Sequence, residues 1–478
     1  MIIVDDTPGS KASTPLLGAA SGSGDLPPAY APREDSGLLG SAQVPYSAQQ
    51  RVGEPARKRF CKALLVAFVV WFLVSALVGS LVGERSLGHG YTIPRDINTG
   101  KCVTEWSTEV KNSSFPYSVS TTFDFALPSK TLLLLSKGQL SSGNLKIQRS
   151  NNISTRVEVK VIVNYHTPTA RDSAQVCKIR RNKEEVGVGL FTPTYWRPPS
   201  RTDALSFDVV LTLPHSESTQ YINSLATEMD NFSHDVDTMH GIFFKEVRLT
   251  ASNGHIVTQD LAAEIVTLTT SDAMVQSSLV ALDVQVHSSN GDILGFFTVT
   301  NSLDLYTTNG IITATATVDP NPFYPKTAKS VSMVTSNGVL NAQINLGLSD
   351  SKPAAFLVET ITTNANLMTQ IVSAPLDSSL NVAARTSNGI AYLVLPSTYE
   401  GRLLASTSNA DINVQSPSPN VPDPACKGDP ECTSRKRSFQ VATINKLSFD
   451  GSVFWNKENA ARSEADVSTS NAPAILVV

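Results

Sequence analysis

From residue 247 to the end, the chain repeats one short pattern eight times, and that pattern limits the folds open to it more than any other feature. The copies run from VRLTASNGHI at 247–256 to ADVSTSNAPA at 465–474. In register their asparagines are Asn253, Asn290, Asn309, Asn337, Asn364, Asn388, Asn409 and Asn471. Six positions before each Asn stands Val, Leu or Ala, and three positions after it stands Ile, Leu or Ala. Apolar residues at −6 and usually −4 share one face of a strand, because side chains alternate. Asn-Gly or Asn-Ala then turns the chain, by a tight corner or a hairpin, both residues being tolerant of positive φ. A new strand begins with the apolar residue at +3. A degenerate ninth copy at Leu268–Asp272 fills the gap between the first two. Successive Asn lie 37, 19, 28, 27, 24, 21 and 62 residues apart. Units of this size cannot bury an apolar face alone, and stacking them creates a shared core. The expected fold class is all-β, a repeat-built β-solenoid with its corner Asn residues stacked. The uneven spacing leaves a large β-sandwich with Asn-Gly hairpins as the alternative.

Upstream of the repeat, residues 118–240 read as a β-rich region. Thr131–Leu135, Leu145–Gln148, Val157–Val163 and Leu205–Leu213 are short apolar-alternating runs, and Val157, Val159, Val161 and Val163 keep a strict period of two. One helix is expected over Glu217–Met229. Residues 84–117 read as a stalk and 241–478 as the repeat region. Within the repeat region, a Pro- and Cys-rich loop at 415–440 protrudes. It carries Arg435, Lys436 and Arg437, read as solvated loop charge, with convertase cleavage as the other possibility. The final Ile475–Val478 reads as a terminal strand.

The region 61–83 contains 21 uncharged residues, Ala63–Gly83, enough for one membrane-crossing helix. Arg51, Arg57, Lys58, Arg59 and Lys62 precede it, against Arg85, Arg95 and Lys101 beyond it. The richer basic side faces the cytosol. The expected layout is therefore a single-pass type II membrane protein with a cytosolic N-terminus, at the cell surface or on a secretory or vacuolar membrane. Residues 1–60 are rich in Gly, Ser, Pro and Ala, and are expected to be a disordered tail. Within it, Pro27, Pro28 and Tyr30 form a Pro-Pro-x-Tyr ligand for a WW domain. The paired prolines preset a polyproline II helix that docks in an aromatic groove. The partner this suggests is a WW-domain ubiquitin ligase. Three sequons, at Asn112, Asn152 and Asn231, lie beyond the span and are candidate glycosylation sites. Cys61 sits at the membrane edge. Cys102, Cys177, Cys426 and Cys432 form an even set in an oxidising compartment. Of the three possible pairings, Cys102–Cys177 with Cys426–Cys432 is favoured, the second closing a short loop.

The repeated strand, Ser/Thr-Asn-Gly, Ile units resemble the putative-adhesin domain family, a family of unknown function whose repeats build a β-solenoid. The whole arrangement also looks like fungal single-pass membrane proteins with a Pro-rich tail. The resemblance implies an adhesin-like ectodomain, and it supplies no catalytic residues.

Charge and motif content agree with a non-catalytic chain. Lys+Arg number 38 against 42 Asp+Glu, a net charge of −4, without the basic face that nucleic-acid binding needs. No nucleophile elbow, zinc-protease, P-loop or dinucleotide motif occurs. His234, Asp235, Asp237 and His240 form the nearest approach to a metal cluster, and lack metal-ligand spacing. No catalytic residue, metal or cofactor is expected. The expected function is non-catalytic interaction with a cell-wall glycan or surface protein. The alternative is a membrane-anchored carbohydrate-active enzyme working with two carboxylates on a solenoid face.

Overall fold

A computed structural model of the chain describes residues 84–478 except 88–89, 110–113, 128–129, 154, 196–203, 320–327, 348–353, 418–420 and 427–434. The tail, its Pro-Pro-x-Tyr motif and the apolar span 63–83 lie outside the described residues. Among the described residues no helix is long and apolar enough to cross a membrane.

The described chain is nearly all β and forms one large mixed sheet system. Its centre is a parallel stack. Each unit sends one strand into an Asn corner and a second strand out of it. The incoming strands include Ile293–Tyr306, Lys329–Val334, Ala355–Ile361 and Ser379–Arg385, paired in parallel in that order. The outgoing strands Ile312–Val318, Leu340–Leu346, Leu367–Ser373 and Ala391–Val394 pair in parallel as well. The Asn corners therefore do not close hairpins. The pattern residues explain the stack. At −6, Val284, Leu303, Val331, Val358, Val382 and Leu403 are all buried, as are Ile293, Ile312, Leu340 and Leu367 at +3. Each contributes roughly 1.5–3 kcal/mol of transfer free energy. The units differ in the number of residues between an outgoing strand and the next incoming one, while the corner stays constant.

The stack starts well before residue 241. Thr131–Lys137 and Ser142–Ile153 form one unit, and Gln220–Met229 with Asn231–Val236 forms the next. Gln220–Met229 pairs in parallel with Ile242–Thr250, so strand pairing is continuous across 240. This segment was expected to be a helix and is a strand. Leu225, Ala226 and Thr227 are buried in succession because the strand is covered on both faces. Ala226 packs in a second cluster with Leu133, Leu135 and Ile179. A strand buried on both faces loses its period of two, and Ile222, Leu225, Ala226 and Met229 then mimic helical spacing.

Two antiparallel wings flank the first units. Tyr117–Ala126, Arg156–Tyr165 and Leu205–His215 make one, and Ile97–Cys102, Gln175–Arg181 and Glu185–Phe191 the other. The stretch expected as a stalk thus contributes to the body, where Tyr91, Ile93 and Ile97 are buried. Cys102 and Cys177 sit opposite each other in register and form a disulfide. Cys426 is also disulfide-bonded; Cys432, its expected partner, lies outside the described residues.

At the other end, chain order and spatial order part. Glu464–Ser468 lies between Ser379–Arg385 and Gly401–Ser406, parallel to both. Ala474–Val477, the expected terminal strand, lies between Ala391–Val394 and Ile412–Gln415. The last unit is therefore inserted between two earlier ones. The outermost incoming strand, Gly401–Ser406, is covered by the antiparallel hairpin Ser438–Ile444 and Ser448–Phe454. Covering the end of a stack hides backbone groups that would otherwise recruit other chains.

Candidate interaction surface

The corner has three parts, each with a physical reason. All eight repeat Asn are solvent-exposed, and their amides form a ladder. Asn309 Nδ2 donates to Asn290 Oδ1 at 2.6 Å, Asn337 to Asn309 at 2.6 Å, Asn364 to Asn337 at 2.6 Å and Asn388 to Asn364 at 2.7 Å. Asn471 then donates to Asn388, and Asn409 to Asn471, each at 2.7 Å, reproducing the inserted order. At the start, Asn253 donates to Asn231 Oδ1 at 2.6 Å. Asn231 is thus a further corner residue as well as a sequon. Asp272 of the degenerate copy accepts from Asn290 at 2.5 Å.

Two positions before the Asn, buried hydroxyls do the internal work. Thr335 Oγ1 donates to Gly310 O at 3.0 Å and accepts from Gly338 N at 3.2 Å. Thr307 bridges Gly291 O and Gly310 N in the same way. Thr362, Thr386, Thr407 and Thr469 likewise donate to the neighbouring unit's corner carbonyl. The corner glycine answers to closeness, not to handedness. None of the repeat Asn or the residues after them has positive φ, contrary to the sequence-based expectation. A Cβ on Gly338 would stand 1.8 Å from Gly310 O.

The outward faces differ along the stack. After the corners of Asn309 and Asn337 the outgoing strands present Thr313, Thr315, Asn341 and Gln343. After Asn388 and Asn471 they present Ile390, Tyr392 and Val394, then Ile475 and Val477. Met368, Tyr392 and Ile475 stand in register across three adjacent strands, as do Val394 and Val477. Met368 is 42% exposed and Ile390 39%. Adjacent strands in such a sheet are about 4.8 Å apart, so these side chains form one contiguous apolar patch; on the earlier units the same face also exposes Phe296 and Ile311. Contiguous exposed apolar surface marks interaction sites.

The remaining candidates do not converge on a reaction centre. His234 is buried, its Nε2 2.8 Å from Thr227 Oγ1 and its Nδ1 3.0 Å from Phe232 O. Burial pushes its pKa down to about 4. It fills the +3 position that Ile, Leu or Ala takes elsewhere, which is why the unit at Asn231 escapes the sequence pattern. Asp237 pairs with Lys146 and His240 with Asp260. Among the described residues, no group of three His, Cys, Asp or Glu could hold a metal ion. Asn152 is exposed and lines an open polar groove of about 600 Å³ with Gln148, Thr212, Asp237 and Gln259. Asn112 lies outside the described residues. Arg435 is solvent-exposed, as a loop charge, but it is paired, whereas Arg437 is withdrawn from solvent. Arg435 Nε donates to the buried Asp423 carboxylate at 2.7 Å, holding that acid well below the usual range. Arg437 is largely buried, donates to Pro396 O and Tyr399 O at 3.4 and 3.3 Å, and is pushed down to about 10 by burial.

No family model matches the chain, and no curated relative matches it. Solved structures that are similar include one described as a putative adhesin from Bacteroides fragilis, 12% identical, with TM-score 0.29 over 53% of this chain and 97% of that one. Another is described as a putative cell adhesion protein from Clostridium sporogenes, 8% identical, with TM-score 0.16 over 75% of this chain and 98% of that one. A third, described as a putative adhesin from Parabacteroides merdae, is 10% identical, with TM-score 0.22 over 58% of this chain and 99% of that one. At these scores neither ligand nor activity carries over.

Proposed function

We propose that the chain is a membrane-anchored, non-catalytic interaction protein whose stacked β region, read as a β-solenoid, holds a surface protein or wall glycan on its apolar outer face. The observation that carries this reading is the patch of Met368, Ile390, Tyr392, Val394, Ile475 and Val477 on a rigid parallel face. Rigid strands hold these side chains in place, so little ordering entropy is lost on binding. The parallel pairing of unit on unit supports the solenoid over the sandwich. The apolar span at 63–83 supports a type II anchor, and Pro27, Pro28 and Tyr30 support capture by a WW-domain ubiquitin ligase that sets surface residence. The test is retention of the full chain on wall glycans and on surface proteins. Wild type is retained, and a variant with Ile390, Tyr392 and Val394 changed to Thr loses at least tenfold in affinity. Equal retention of both removes the patch from the interaction, and retention of neither removes adhesion.

A further inference from the structure

Where the strands Val275–His287 and Ile293–Tyr306 shift register, between Ala281 and Asp283, lies a cluster that takes no part in the reading above. Asp283, Asn301 and Lys329 come from three successive units. Lys329 is 3% exposed, an unusual place for an ammonium. Its Nζ donates to Asn301 Oδ1 at 3.0 Å. The other end of the same amide, Asn301 Nδ2, faces Asp283 Oδ2 at 3.5 Å, and Asp283 Oδ1 accepts from Ser302 Oγ at 2.6 Å. The amide is thus held with an amine at its oxygen and a carboxylate at its nitrogen.

We propose that Lys329 and Asn301 form an intramolecular isopeptide cross-link, with Asp283 as the catalytic residue. Uncharged Lys329 Nζ attacks Asn301 Cγ, which lies one C=O bond, ~1.2 Å, beyond the oxygen it touches. The Nζ–Cγ bond forms and the Cγ–Nδ2 bond breaks. Asp283 takes one proton from Nζ and delivers it to Nδ2, which leaves as ammonia. One amine and one primary amide become one secondary amide and ammonia, with no oxidant, reductant or metal. The desolvation that lowers the Lys329 pKa favours the amine form that attacks. Fixed placement of the reactants replaces the encounter that makes amide exchange slow in solution. The product ties the unit of Asn290 and Asn309 to that of Asn337.

The test is mass spectrometry of the full chain and its tryptic digest. The wild-type peptides carrying Asn301 and Lys329 are expected as one joined species, lighter than their sum by one ammonia, with no cleavage after Lys329. In Asp283→Asn the same species forms at least about a hundredfold more slowly, the usual contribution of a placed acid–base group. Lys329→Arg keeps the charge and leaves every peptide separate; far-ultraviolet circular dichroism checks that both variants keep the β fold. Separate wild-type peptides overturn the proposal. An undiminished cross-linking rate in folded Asp283→Asn overturns the role of Asp283.

Discussion

Replacing Thr335 with Val tests the logic of the corner. The two side chains have nearly the same shape, and Thr335 is 1% exposed. Val cannot accept from Gly338 N or donate to Gly310 O, the two bonds Thr335 makes at 3.2 and 3.0 Å. Each buried polar group left without a partner costs roughly 1–3 kcal/mol. The added methyl returns about 1 kcal/mol of apolar burial. The polar loss wins, and a net destabilisation of about 1–5 kcal/mol is expected. Stacked units open individually as well as together, so the informative assay is native-state hydrogen exchange of the amides on both sides of the corner, beside urea denaturation. Thr313→Val on the exposed outgoing face is the matched control, expected within about 0.5 kcal/mol of wild type. If Thr335→Val and Thr313→Val cost the same, the hydroxyl bridges contribute nothing and the corner is held by apolar burial alone.

Other consequences follow from single groups. Glu400 is buried and accepts from Trp455 N, Asn456 N and Asn459 Nδ2 at 2.7, 2.8 and 2.7 Å. Glu400→Gln turns one acceptor oxygen into a donor facing donors, so exchange in Glu464–Val477 should accelerate by more than tenfold while Ile312–Val318 stays protected. His234 has its pKa lowered in the fold to about 4 from 6.5. The unfolded chain therefore binds the proton first, and stability present above pH 6.5 declines as pH falls toward 4, by at most about 3 kcal/mol. His234→Leu should flatten urea midpoints over that window, and an unchanged slope would place the acid sensitivity elsewhere. With Asp423 and the carbonyls holding Arg435 and Arg437, brief trypsin treatment of the folded chain should spare 435–437, and Asp423→Ala should open it. Cutting of wild type at the same rate would contradict the packed arrangement.

The parts of the fold that repeat were legible in the sequence. Apolar residues at −6 and +3 are core residues because each unit obeys the same packing rule, and the corner Asn stack because each corner is the same. Ala474–Val477 was legible as a strand, but not its place, because insertion between the Asn388 and Asn409 units is a matter of topology that local pattern does not encode. The unit at Asn231 was hidden by His234, a polar residue that satisfies the core position only through Thr227 and Phe232. Gln220–Met229 was misread because burial on both faces erased its alternation. The hydroxyls at −2 stand as a near-continuous column of Thr in the sequence, but the carbonyls they reach belong to neighbouring units, which the spacing within one unit does not give. The apolar patch and the Lys329 cluster each draw on several units far apart in the chain, and no spacing rule joins them.

The account rests on the β stack lying outside the cytosol. Protease treatment of intact microsomes carrying the full chain, followed by an N-glycosidase, tests that directly. The account predicts a protected, glycan-bearing fragment comprising 84–478, with the tail digested. A digested, unglycosylated stack would invert the orientation, separate Pro27, Pro28 and Tyr30 from cytosolic WW domains, and contradict an outward-facing role for the apolar patch.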